Sequence, residues 1–223
     1  MILKTVAELA QVDNPSWPFI EEMIRDAPIS VEALAPTKGD KAFHSLQVTA
    51  RSPLGGMALN SGGLLIENGW LRMYGAGSDL LPSIAEVNKF HDPYTQEPPS
   101  YWVIATDAIG GEFALNGGVL GESLWNVYYY GEENLEWEDL GCGYGDFLDA
   151  SLGGASASLY EHLRWPGWEQ DVQKLTPTQG FSFFPPLFTV EGQNPATSHR
   201  AVVPFAELLV EKNNAREFFA SQQ

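Results

Sequence analysis

Leu64-Leu65-Ile66-Glu67-Asn68-Gly69-Trp70-Leu71-Arg72-Met73-Tyr74 decides the fold class. Two apolar runs flank Asn68-Gly69, the preferred two-residue hairpin turn, because both residues tolerate positive φ. Such a turn sets the register. Glu67 faces Trp70, Ile66 faces Leu71, Leu65 faces Arg72 and Leu64 faces Met73. Successive side chains of a strand point to opposite faces. Leu64, Ile66, Leu71 and Met73 therefore form one wholly apolar face that belongs in a core. Leu65, Glu67, Trp70, Arg72 and Tyr74 form a mixed face, with Arg72 diagonally across from Glu67.

The same two-residue period continues after the hairpin. Tyr101 to Ala105 reads as a buried strand, and Glu112 to Leu115 as another, ending at Asn116-Gly117-Gly118. Asn126 to Tyr130 and Leu135 to Glu138 form a second hairpin across Gly131 to Asn134. Ser83 to Phe90 is a short helix, and Asp92 to Ser100, with three prolines, a loop. Before the hairpin, Asn14-Pro15-Ser16-Trp17-Pro18 starts a helix, with Trp17, Ile20, Met23 and Ile24 at helical spacing. A second helix covers Asp40 to Gln47. The period turns helical again over Gly145 to Leu152, Ser156 to Leu163 and Trp168 to Leu175. A last helix begins at Pro204, with Phe205, Leu208, Leu209 and Phe219 on one stripe. Helices, then hairpins, then helices specify an α+β fold with a largely antiparallel sheet. No linker divides the chain, so residues 1–223 are expected to form a single domain.

The 223 residues carry 12 Lys+Arg against 29 Asp+Glu, a net charge of −17, with 44% hydrophobic and 18% charged residues. That hydrophobic content excludes global disorder. No apolar run approaches the ~20 residues of a membrane span. The first residues contain Glu8 and lack a secretory apolar core, which points to a cytoplasmic protein. The negative balance argues against nucleic acid and anionic membrane surfaces, and favours a basic protein partner. Cys142 is the only cysteine, so disulfides within the chain and cysteine-based zinc sites are excluded. Its setting, Gly141-Cys142-Gly143 among acids, opposes a reactive thiolate. His44, His91, His162 and His199 show no ligand spacing, and Ser61-Gly62-Gly63, Gly75-Ala76-Gly77-Ser78 and Gly110-Gly111 match no phosphate loop. No metal, cofactor or catalytic residue is assigned. Paired carboxylates with aromatic stacking would suit a glycosidase, but nothing selects two acids from 29.

Between Lys89 and Arg164 there is no Lys or Arg, while thirteen acids fall there. The densest run supplies Glu132, Glu133, Glu136, Glu138 and Asp139. It reads either as a solvated strand face or as an acidic recognition surface for a basic partner. Arginine is scarce, so Arg51 and Arg72 each invite two readings, a structural ion pair or a grip on an anionic ligand. For Arg72 the ion pair is the natural reading, since Glu67 lies across the hairpin. The small-ligand alternative places Arg51, Arg72, Trp102, Asp107 and Asn116 around one pocket. The aromatic content also allows a structural role in an oligomer, and the oligomeric state is left open.

Arg51-Ser52-Pro53-Leu54-Gly55, Gly62-Gly63-Leu64-Leu65-Ile66, Gly69-Trp70-Leu71-Arg72, Phe113-Ala114-Leu115-Asn116-Gly117-Gly118, Leu135-Glu136-Trp137-Glu138-Asp139-Leu140 and Gly180-Phe181-Ser182-Phe183 recur in order in a bacterial family. Over nearly its whole length the chain resembles that family, domain of unknown function twenty-six twenty-five, which implies no assigned chemistry. A partial resemblance, over residues 101–152, is to the SUKH superfamily. Asp107-Ala108-Ile109-Gly110-Gly111, Val127-Tyr128-Tyr129-Tyr130, Trp137 and Tyr144-Gly145-Asp146-Phe147-Leu148 follow its strand-strand-helix order. That resemblance implies an α+β binding scaffold without catalytic residues, and together with the acidic interval it points to an immunity-type module that presents acids to a basic partner.

Overall fold

The computed structural model describes residues 3–90 and 100–220. In chain order the elements are α1 (Val6–Ala10), α2 (Trp17–Asp26), β1 (Val31–Leu34), α3 (Lys41–Leu46), α4 (Pro53–Asn60), β2 (Gly63–Ile66), β3 (Leu71–Tyr74), α5 (Ile84–Val87), β4 (Tyr101–Asp107) and β5 (Glu112–Asn116). They continue as β6 (Val127–Tyr130), β7 (Trp137–Asp139), α6 (Tyr144–Leu152), α7 (Ser156–Leu159), α8 (Trp168–Val172), β8 (Gln179–Phe184), β9 (His199–Pro204) and α9 (Phe205–Ala220). β1 to β7 form one sheet in sequence order, every pair antiparallel, and β8–β9 form a separate hairpin. The fold is α+β. Except for Ser100, the Pro-rich segment Asp92 to Ser100 lies outside the described residues.

The opening hairpin has the expected register, with Ile66 opposite Leu71 and Leu64 opposite Met73. These four side chains are buried in the main core. The turn differs from expectation. Glu67, Asn68 and Gly69 all take positive φ, at 51°, 60° and 89°. Gly69 N–H donates to Ile66 O, and Trp70 N–H to Glu67 O. Four residues, 67 to 70, thus close the hairpin instead of two. Register survives because each end lengthens by one residue. The side chains of Glu67 and Trp70, however, leave the strand pleat.

The apolar face of the sheet packs on helices, as Phe113 against Phe147 of α6 shows, with ring centroids 4.9 Å apart. The sequence pattern missed β1, α1, α4, β8 and β9. α4 reads Pro-Leu-Gly-Gly-Met-Ala-Leu-Asn, and two glycines weigh against a helix. Ser52 caps it by accepting from Gly55 N–H at 3.1 Å, and Pro53 suits its first turn. Gly56 is needed for contact: a Cβ there would run into Ser16 Oγ at the start of α2. The expected stripe on the last helix is corrected. Leu208 and Lys212 are its buried positions, whereas Phe219 is 46% exposed.

Candidate functional site

Strand register aligns one row of side chains across the other face of the sheet: Glu32, Leu65, Arg72, Thr106, Glu112, Tyr130 and Trp137. The C-terminal elements cover part of this face. Phe181 N–H of β8 donates to Ala108 O at 2.8 Å. Lys212 of α9, only 1% exposed, donates to Gly110 O at 2.6 Å and Glu112 Oε2 at 2.8 Å, and its Nζ lies 4.8 Å from the Tyr130 ring centroid. A buried ammonium is thereby satisfied by one carboxylate, one carbonyl and one aromatic face.

Arg72 does not pair with Glu67. It is 1% exposed, and its Nε donates to Gly69 O at 3.0 Å. Its Nη1 donates to Pro177 O at 2.9 Å and Gln179 O at 2.6 Å. These bonds tie β3 to the segment entering β8. Burial pulls its pKa down to about 10, against the opposing pull of Tyr74 and Asp107. Glu67 is turned by its positive φ toward the 156–168 segment. There it accepts from Arg164 Nη1 at 3.1 Å, from Arg164 Nη2, and from Ser156 Oγ at 2.7 Å. The Arg164 guanidinium lies 3.9 Å from the Trp168 ring centroid and is flanked by Trp70 and Tyr160.

Two residues chosen for the pocket organise turns instead. Asp107 is fully buried. Its Oδ1 accepts from Ile109 N–H at 3.0 Å and Gly111 N–H at 2.7 Å, and its Oδ2 from Tyr129 Oη at 3.0 Å. Burial nonetheless raises its pKa. A Cβ on Gly111 would strike that carboxylate and the Tyr129 ring, so the β4–β5 turn requires glycine there. Asn116 Oδ1 accepts from Gly118, Val119 and Leu120 N–H, while its Nδ2 donates to Gly121 O and Ser123 O. Five hydrogen bonds from one side chain hold residues 117–123 in shape. Asn116→Ala is expected to lower stability by about 2 kcal/mol or more in urea unfolding, at roughly 1 kcal/mol per hydrogen bond with partial replacement by water.

Arg51 is exposed and donates to Asp13 O at 3.2 Å. Trp102 meets Phe90 and Trp125 edge-on. Arg51, Arg72, Trp102, Asp107 and Asn116 therefore do not converge on one pocket. Arg72 and Asp107 lie on adjacent strands, while Arg51 belongs to the α3–α4 junction. Of the five, Arg72 lines an open groove of about 510 Å³.

The acidic run is divided. Glu132 and Glu133 turn inward, and Oε2 of each is buried without a hydrogen-bond partner. Burial pushes the Glu132 carboxyl up to about 8 and that of Glu133 up to about 7, with Lys212 opposing and the nearby acids adding to the rise. The expectation that both lie on the acidic surface is corrected. The tight Gly131–Asn134 turn folds them back beneath α9. Sequence gave one usable sign of this, Lys212 at the buried spacing of Leu208. Glu136, Glu138 and Asp139 remain exposed on and beside β7, the edge strand of the sheet. Glu138 accepts from Asn134 Nδ2, and Asp139 from Asn126 Nδ2 and Gly141 N–H. Among the described residues none of the three has a Lys or Arg partner. Burial, then Asp146 and Asp139, raise the Cys142 thiol pKa. No group of three or more metal-ligating side chains occurs among the described residues, and no helix there is long and apolar enough to cross a membrane.

A family model described as "Protein of unknown function DUF2625" matches residues 6–208. The chain is 37% identical over 225 residues to "Putative uncharacterized protein YbfG" of Escherichia coli (strain K12), covering 97% of this chain and 99% of that protein. It is 33% identical over 189 residues to an "Uncharacterized protein" of Haemophilus influenzae (strain ATCC 51907 / DSM 11121 / KW20 / Rd), covering 83% of each. No solved structure matches, and neither relative bears on the SUKH resemblance. Matched over residues 6–208 by the family model and over 97% and 83% of its length by the two bacterial relatives, this chain belongs to the DUF2625 family.

Proposed function

We propose that this protein is a non-catalytic binding module whose working surface is the acidic margin at β7. One observation carries the reading. Inside, Glu112 is met by Lys212 and Asp107 by backbone N–H groups and Tyr129, whereas Glu136, Glu138 and Asp139 face solvent with no cationic partner among the described residues. Charges held this way at a sheet edge raise the encounter rate with a basic partner and set its orientation. They also discourage edge-to-edge pairing of the three-residue strand, which is the plain structural use of the same residues.

A lysine-rich peptide serves as the probe, with affinity measured at rising salt. Screening acts within about 10 Å at 0.1 M ionic strength, so affinity should fall steeply as salt rises. Glu136→Lys with Glu138→Lys should weaken binding several-fold more than Glu21→Lys with Glu22→Lys on α2, an exposed control of equal charge change. Equal losses at the two places would mean that overall charge alone attracts the peptide, and the localised surface would be abandoned.

A further inference from the structure

The mixed face of the sheet is not covered along its whole length. α9 and β8 lie over its β4–β6 portion and residues 177–179 over Arg72 of β3, and beyond them, over β1 and β2, it stays open as the groove of about 510 Å³. Glu32, Leu65 and Arg72 line this groove and stand in one row, set by the pairs Glu32 with Leu65 and Leu65 with Arg72. Neighbouring strands lie about 4.8 Å apart, so the backbones at Glu32 and Arg72 are separated by about 10 Å, with Leu65 between them. Neither charge has an ion-pair partner among the described residues. Arg72 is inside, its Nε and Nη1 saturated by three carbonyls, while its Nη2 makes no hydrogen bond to the described residues. Of the described carboxylates only Asp107 bears on this desolvated guanidinium, from beyond ion-pair distance, and an anion entering the groove offsets more of the cost of burying it. Leu80 and Leu175 supply apolar walls.

A fixed cation inside, an apolar floor one strand wide and an exposed anion beyond it match a small zwitterion. We propose that this groove binds a small amino-carboxylate. Its carboxylate sits on Arg72 Nη2, its ammonium reaches Glu32, and an apolar side chain lies over Leu65 against Leu80 and Leu175. A phosphate dianion fits less well: only one guanidinium nitrogen is open to it, and Glu32 and the net charge of −17 repel it. The inference stands apart from the acidic margin, because β1 and β7 are opposite edges of the sheet.

Calorimetric titration of the full chain with leucine tests it, beside isocaproate (no amine), isoamylamine (no carboxylate) and inorganic phosphate. Leucine should bind. Isocaproate and isoamylamine should each bind about tenfold or more weakly, and Glu32→Gln should weaken leucine by a similar factor. Arg72→Gln should abolish binding. That variant also loses structural bonds, so Leu65→Phe, which fills the groove and leaves the Arg72 carbonyl contacts in place, is the companion. With its circular dichroism unchanged, it too should abolish binding. The proposal falls if leucine does not bind, if phosphate or isocaproate binds as tightly as leucine, or if leucine binding survives Leu65→Phe or Glu32→Gln.

Discussion

Glu67→Ala is expected to lower the unfolding free energy by about 3–5 kcal/mol, read from urea denaturation, the usual cost of breaking a buried ion pair from one side. The substitution strips the guanidinium of Arg164 of its only carboxylate among the described residues and leaves Ser156 Oγ without its acceptor. Trp168, Trp70 and Tyr160 around that guanidinium offset part of the loss through cation–π attraction, which favours the lower end of the range. A double-mutant cycle separates the two arginines that compete for Glu67. Coupling of Glu67 to Arg164 should be about 2 kcal/mol or more, and coupling of Glu67 to Arg72 about 0.5 kcal/mol or less. The reverse ranking would restore the cross-hairpin pair. The apolar double variant Glu67→Met with Arg164→Met should recover most of the stability lost by Glu67→Ala, because no buried charge is then left alone.

The melting temperature should be highest near pH 5 and fall as the pH approaches 8. In the fold, Glu132 and Glu133 hold their protons to about 8 and about 7, against an ordinary value of 4.5. The folded chain therefore binds more protons than the unfolded chain between these limits, and stability drops with rising pH across that window. Asp107, also raised by burial, adds in the same direction. Each unit of difference corresponds to about 1.4 kcal/mol. Both side chains are only partly buried, so solvent screening softens the effect, and the combined loss is put at about 3 kcal/mol, or roughly 6–12 °C for a chain of this size. Glu86 and Asp171 act oppositely. Their pKa values are lowered, Asp171 chiefly by Lys174 and Trp165, and their contribution disappears as the pH falls through their folded values, which sets the acid limit. Glu132→Gln with Glu133→Gln should flatten the profile and melt higher than the parent at pH 8. A melting temperature that climbs steadily from pH 5 to pH 8 would mean that both carboxylates are solvated, and the outward-facing reading of these residues would return.

These two results bear on residues whose roles local sequence pointed to wrongly. In the hairpin, Glu67 and Arg72 stand where cross-strand partners stand, yet the added residue at each side of the turn sends Glu67 toward residue 164, 97 positions away. Arg72 is held by the carbonyl of residue 177, 105 positions away, and Lys212 by that of residue 110. Glu132 and Glu133 look like their neighbours Glu136 and Glu138 in sequence, and only the arrival of α9 distinguishes them. Asp107 and Asn116, which the sequence places around a pocket, hold turns instead: apart from the bond from Tyr129 to Asp107, their hydrogen bonds run to residues within a few positions, which is turn chemistry. The polar residues of the groove are scattered from Ser30, before β1, to Gln173, after α8, so no local motif announces it.

Sequence alone determined the α+β class, the register of the Leu64–Tyr74 hairpin, its buried apolar face and the presence of the strands β4 to β7, the last two as a hairpin. Those features depend on turn residues and on a two-residue period, both set by interactions a few positions apart. Tertiary structure alone decided which charges are inside, what each one meets, and where the mixed face of the sheet is left open. A charged side chain is satisfied by whatever group folding brings within about 3 Å, and that group is as readily a hundred residues distant as two.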